Sequence, residues 1–147
     1  MSSPGKKRGE LSDLVTKYPP HIIALTEILP KIPGYDGATE SLLSIRGFEL
    51  VMPDQVGNAR GVALLLRSGV PYKIVKLEGF QDSIVVKLSL PHQGLVTVGL
   101  LYRPPRSELY PLTAFTKEFF VGSGPKILVG DFNLPGVDWD LFCGGAP

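Results

Sequence analysis

The spacing of apolar positions changes along the chain, and each change marks an element. Leu11, Leu14, Val15 and Tyr18 recur at helical spacing, which predicts a helix that Pro19-Pro20 stops. The short apolar run Ile22 to Leu25 follows and passes into Thr26 and Glu27. Residues 28–44 carry Pro30, Pro33 and Gly34 and read as irregular. Phe48 to Met52 reads as a strand closed by Pro53-Asp54. The middle of the chain then reads as strand after strand: Gly61 to Leu66, Tyr72 to Leu77, Ser83 to Leu90 and Leu95 to Tyr102. In the third of these, Ile84, Val86, Leu88 and Leu90 share one face, while Val85, Lys87 and Ser89 share the other. Pro91-His92-Gln93-Gly94 is a hairpin-type connection, and turn signals roughly every 8–12 residues favour a sandwich or a meander. After Arg103-Pro104-Pro105 the period lengthens again. Leu109, Leu112, Phe115, Phe119 and Phe120 predict a helix over about Ser107 to Phe120, with Pro111 tolerated in its first turn and Gly122 and Gly124 ending it. A last buried strand, Ile127 to Val129, runs into Gly130-Asp131-Phe132-Asn133.

Composition narrows the classes. The chain has 147 residues, one domain's worth, and is 44% hydrophobic and 20% charged, enough for a core. Its 17 Gly and 14 Pro fit many short elements joined by turns. A formal net charge of +1 excludes nucleic-acid binding by bulk charge but leaves room for a local basic patch. The single cysteine, Cys143, excludes an internal disulfide framework and a cysteine-based zinc site, in keeping with a reducing compartment. No apolar run approaches the length of a bilayer span or a signal peptide, so no membrane partner is expected.

The chemistry gathers where apolar strands end. Ile22 to Leu25 runs into Glu27, Leu95 to Leu101 into Tyr102 and Arg103, and Ile127 to Val129 into Asp131 and Asn133. Active sites collect at strand ends because the core holds the backbone there and loops leave room for a substrate. Asp131 and Asn133 are two apart, so in extended chain they point to the same side. A carboxylate beside a neutral amide suits phosphate chemistry: the acid orients a water or a metal, and the amide donates to a phosphoryl oxygen. Glu27 supplies a second carboxylate, and Mg²⁺ needs few protein oxygens because it keeps most of its waters. Taken singly, Glu27 is equally a strand end meeting solvent, and Asp131 and Asn133 equally a turn after a strand.

Four blocks together carry a resemblance: Ile22-Ile23-Ala24-Leu25-Thr26-Glu27, Arg60-Gly61-Val62-Ala63-Leu64-Leu65, Leu101-Tyr102-Arg103-Pro104-Pro105, and Gly130-Asp131-Phe132-Asn133-Leu134-Pro135-Gly136-Val137-Asp138-Trp139. In this order the sequence resembles the endonuclease/exonuclease/phosphatase family, and within it the apurinic-type endonuclease domain of LINE-like, non-LTR retrotransposons. The resemblance implies an α/β fold, a four-layer α/β/β/α sandwich (DNase I-like), here incomplete. It implies phosphodiester cleavage that depends on Mg²⁺, with Mn²⁺ as the alternative ion. Position by position, Glu27 matches the metal-binding carboxylate and Tyr102 the tyrosine that contacts the scissile phosphate. Asp131 matches the acid that aids nucleophile or leaving group, Asn133 its phosphate-orienting neighbour, and Arg103 a phosphate contact beside Tyr102. The implied partner in the parent protein is DNA, in a nuclear setting, with a reverse-transcriptase domain downstream.

The family pattern also includes an asparagine on an opening strand and a Ser-Asp-His-type motif on later strands. Here no Asn precedes Asn58, and His21 and His92 match no catalytic position. The expectation is therefore a frayed N-terminus over 1–8, a partial domain over 9–140 and a loose tail over 141–147, inactive or nearly so by itself. Two other readings stay open: a phosphatase or lipid phosphodiesterase of the same superfamily, and a decayed fragment that does not catalyse. Lys6-Lys7-Arg8, Asp138 and Asp140 read as solvated turns, and Gly122-Ser123-Gly124-Pro125-Lys126 lacks the spacing of a phosphate-binding P-loop.

Overall fold

The computed structural model describes residues 19–28, 43–53, 61–80 and 82–137, with the single positions 9, 10, 13 and 17. Those four have, at Gly9, Glu10, Asp13 and Lys17, helical backbone. The apolar positions of that predicted helix, with Arg60, Asp138, Trp139 and Cys143, lie outside the described residues.

Among the described residues, seven strands and one fully described helix follow in order: β1 (Ile22–Thr26), β2 (Phe48–Val51), β3 (Val62–Arg67), β4 (Tyr72–Val75), β5 (Ser83–Leu90), β6 (Gly94–Tyr102), α1 (Tyr110–Phe119) and β7 (Lys126–Asp131). They form two sheets, ordered β1-β3-β2 and β4-β5-β6-β7. Every pairing is antiparallel except β6 with β7, which are parallel. A parallel pair needs a crossover, and α1 is that crossover. The meander expected from turn spacing thus holds from β4 to β6 and gives way to a β-α-β unit.

The alternation in β5 sorts the two cores. Ile84, Val86 and Leu88 join Val96, Val98 and Leu100 of β6 against Val62, Leu64 and Leu66 of β3. This is the packing between the sheets. On the opposite face, Val85 and Leu101 pack under Leu112, Phe115 and Phe119 of α1. Ala63 and Leu65, on the other side of β3, are fully buried as well, so that strand is covered on both faces. Phe115 centres the helix layer: Phe80 meets it edge-on at 5.7 Å and Phe119 lies nearly parallel at 6.3 Å.

Several boundaries shift from the sequence expectation, β4 ending at Val75 and not Leu77 among them, and two of the shifts have a clear local reason. The helix starts at Tyr110, not Ser107, because Ser107 is spent on a turn, its N–H donating to Pro104 O at 3.3 Å. Pro111 then sits in the first turn, where its missing N–H has no intrahelical acceptor to lose. The last strand is longer than Ile127 to Val129. Lys126 opens it and donates through Nζ to the carbonyls of Phe119 and Val121, capping the end of α1.

Among the described residues, β1 and β7 are sheet edges on the same side of the sandwich, and they touch each other. The core thins there. Ala24 brings only a methyl group to the inner face, and opposite it Ile127 and Val129 remain 52% and 37% exposed. No described helix is long and apolar enough to cross a membrane.

Candidate active site

β6 and β7 run parallel and end together, with Tyr102 in register with Asp131. Residues in register on neighbouring strands point to the same side, so Asp131 shares the inner face with Val129 and Tyr102. A cleft of about 240 Å³ joins Thr26 and Ala24 of β1 to Leu100, Val129, Gly130 and Asp131. The C-terminal ends of β1, β6 and β7 therefore meet at one rim. Glu27 follows Thr26 directly and is exposed there.

A second and larger cavity, about 700 Å³, is lined by Asp131 with Pro105, Arg106, Asn133 and Leu134 among others. Asp131 and Gly130 line both cavities. Gly130 is required at this junction. Its φ is +153°, and a Cβ there would stand 1.9 Å from Leu101 O. The absent side chain lets β7 close onto β6 up to its last residue, Asp131.

Asn133 does not continue the strand. Its φ is +47°, so the two-residue alternation that would align it with Asp131 is broken. A local turn joins them instead: Asn133 N–H donates to Asp131 Oδ1 at 3.2 Å. Asn133 Nδ2 donates to Arg103 O. The two residues reach one cavity by side-chain-to-backbone bonding, not by strand periodicity.

Arg103, expected beside Tyr102 as a phosphate contact, is only 5% exposed. Its guanidinium donates to the carbonyls of Phe132 (3.3 Å), Asn133 (2.8 Å) and Ser107. Its backbone N–H donates to Asp131 O at 2.9 Å. Arg103 thus clasps the loop after β7 to the loop after β6. Its Nε is buried with no hydrogen-bond partner among the described residues.

Tyr102, 4% exposed, belongs to the core between the sheets, and its N–H donates to Asp82 O at 2.9 Å. Asp82 is itself 4% exposed and lines a small cavity of about 210 Å³ with Tyr102, Ser107 and Glu108. Burial pushes the Asp82 carboxyl above its ordinary range. Sequence reasoning passed over Asp82, which reads as a turn residue ahead of β5.

Among the described residues, three of the four non-glycine residues with left-handed backbone follow the ends of β1, β6 and β7: Glu27 (φ 55°), Arg106 (φ 61°) and Asn133 (φ 47°). Asn tolerates that region, whereas Glu and Arg pay about 1–3 kcal/mol of strain each. The fourth, His92 (φ 66°), sits in the β5–β6 hairpin. Both described histidines are far from the rim. His21 precedes β1 and His92 precedes β6, each at the strand end opposite Thr26 or Tyr102. For His92 that is about 27 Å along β6 at roughly 3.3 Å per residue. Among the described residues no group of three His, Cys, Asp or Glu is placed to enclose a metal.

No protein-family model and no curated protein matches the sequence. Solved structures do match in shape. The endonuclease domain of TRAS1, a telomere-specific non-LTR retrotransposon, superposes with a TM-score of 0.63 at 14% identity, over 90% of this chain and 56% of that one. The 2′,3′-cyclic phosphatase ANGEL2 superposes with a TM-score of 0.53 at 16% identity, over 85% of this chain and 43% of that one.

The chain has the DNase I-like fold.

It spans about half the length of each of these two proteins. In DNase I-like terms, the paired sheets and the helix over β5 and β6 are present. The rim formed by β1, β6 and β7 lies at the edge of the two packed sheets, where Thr26 and Asp131 line one cleft and Asp131 and Asn133 another.

Proposed function

We propose that this rim handles a phosphodiester of DNA, as part of a metal-dependent endonuclease of the retrotransposon type. The observation that carries the reading is the convergence of three strand ends on Asp131, which lines one cleft with the β1 terminus and another cavity with Asn133. The TRAS1 domain, an endonuclease built on the same fold, supports it.

The donor set fits a hard cation. Glu27 and Asp131 offer carboxylate oxygens, and Mg²⁺ is held through one or two such groups with waters and substrate phosphate completing its shell. An enclosing cluster of three protein ligands is not needed for that mode. When bound, such an ion acts as a Lewis acid on the phosphate. The chain's own residues do the rest. Asn133 N–H fixes one oxygen of Asp131 and leaves the other to orient a water or hold its proton. The Asn133 amide, held by Arg103 O, is pre-set beside the carboxylate without reorganisation. Tyr102, buried at the end of β6 in register with Asp131, is the residue this reading assigns to the scissile phosphate.

Two features support weak activity for this chain alone. No described imidazole lies at the rim to take up a proton at neutral pH. The inner faces of Ile127 and Val129 are open, as they would be if further strands of a larger domain covered them. A reverse transcriptase in the same protein follows from the retrotransposon reading.

The test is supercoiled-plasmid nicking across a Mg²⁺ titration, with Asp131→Ala as control. Mg²⁺-dependent nicking above the control is the expected result, at low rate. Turnover of a nucleoside 2′,3′-cyclic phosphate without nicking would move the assignment to the phosphatase branch that ANGEL2 represents. Neither activity and no Mg²⁺ binding would leave a non-catalytic fragment.

A further inference from the structure

We infer that Arg106 is the residue with which this rim grips the DNA backbone, and that Arg103 serves to present it. The inference rests on the DNA reading above and assigns the contact that reading requires. Arg106 and Arg103 are three residues apart, yet the fold puts them to opposite uses. Arg103 is buried, and its guanidinium is occupied by three backbone carbonyls. Arg106 is exposed and lines the cavity that Asp131 and Asn133 share.

The local geometry shows how it is held there. Ser107 N–H donates to Pro104 O at 3.3 Å, which closes a four-residue turn over Pro104 to Ser107. Pro105 supplies the fixed φ of the second position, and the third, Arg106, has φ +61°. That is a type II turn, whose third position favours glycine. Ser107 Oγ also donates to Pro104 O, and Ser107 O accepts from the Arg103 guanidinium. The corner that carries Arg106 is therefore clamped to the same buried arginine that clamps the Asp131–Asn133 loop. Backbone strain alone does not single it out, since Pro91-His92 makes the same corner in an ordinary hairpin. What distinguishes Arg106 is its cavity. A delocalised cation on a rigid corner, beside a carboxylate and an amide suited to phosphate, matches the two non-bridging oxygens of a phosphodiester bidentately.

Glycine is the residue this corner prefers, so Arg106→Gly removes the cation while keeping the turn. Binding of a short fluorescein-labelled DNA duplex is followed by anisotropy in EDTA, which prevents cleavage, across a NaCl titration. Loss of one phosphate contact lowers the slope of log K against log salt by about 0.9, a roughly eightfold loss of affinity at about 0.1 M salt. Arg106→Gly is expected to show both changes with an unchanged or raised melting temperature, and Arg106→Lys to restore the slope. Wild-type affinity and slope in Arg106→Gly would overturn the assignment of Arg106. Absence of DNA binding by the wild-type chain would instead overturn the DNA reading on which it rests.

Discussion

Gly130→Ala tests the junction on which the rim is built. The added methyl would lie 1.9 Å from Leu101 O and 2.9 Å from Leu101 C. These are backbone atoms of the paired strand, so no side-chain rotation relieves the clash. Overpacking of this kind costs about 1–3 kcal/mol. Placing alanine at φ +153° costs about 1–3 kcal/mol more. The sum, about 4 kcal/mol, is a large fraction of the roughly 5–15 kcal/mol that holds a domain folded. With a urea slope of about 2 kcal/mol/M, the midpoint falls by about 2 M. Gly99→Ala is the matched comparison. Its methyl would meet Phe119 Cε2 at 2.7 Å and Leu128 Cδ1 at 2.9 Å, both ends of side chains that can turn aside. Its loss is confined to about 1–3 kcal/mol of overpacking. Hydrogen exchange adds a local readout. Arg103 N–H donates to Asp131 O across the strand ends, and Gly130→Ala should open that bond first. A Gly130→Ala midpoint within about 0.5 M of wild type, with Arg103 N–H still protected, would refute the close approach of β7 to β6.

Other expectations follow from the same geometry. Asp82 holds its proton more tightly in the folded chain than in the unfolded one, because burial disfavours the carboxylate. Between the two pKa values the folded state binds more protons, so stability declines as pH rises through and above the ordinary carboxylate range. Asp82→Asn should therefore raise the urea midpoint at pH 7 and leave it unchanged in acid; equal midpoints at both would contradict the burial. Arg103→Lys keeps the charge but cannot serve the carbonyls of Phe132, Asn133 and Ser107 together. It should cost about 2 kcal/mol and lower the melting temperature by about 4–8 °C. A change under about 1 °C would mean the clasp contributes nothing.

Periodicity alone determined most of the elements. The alternation of Ile84, Val86 and Leu88 with Val85 and Lys87 predicts a strand, and the structure shows that strand separating the two cores. The helix from Leu109 onward and the strand before Gly130 were equally legible, because burial of one face imposes a repeat that can be counted along the chain. The order of Glu27, Tyr102, Asp131 and Asn133 at strand ends was legible too, as was the resemblance that names the fold. Three things were decided only by the tertiary structure. The parallel pairing of β6 with β7 needs the crossover to be folded, since strand direction leaves no trace in the pattern of a single strand. Asp131 and Asn133 share a cavity because Arg103 and an Asx turn bend the loop, not because they are two apart. Arg103 is buried and Arg106 exposed, although residue type suggests the surface for both. A guanidinium is buried or exposed according to which carbonyls the fold brings within its reach, and those of Phe132 and Asn133 lie about thirty residues away in sequence.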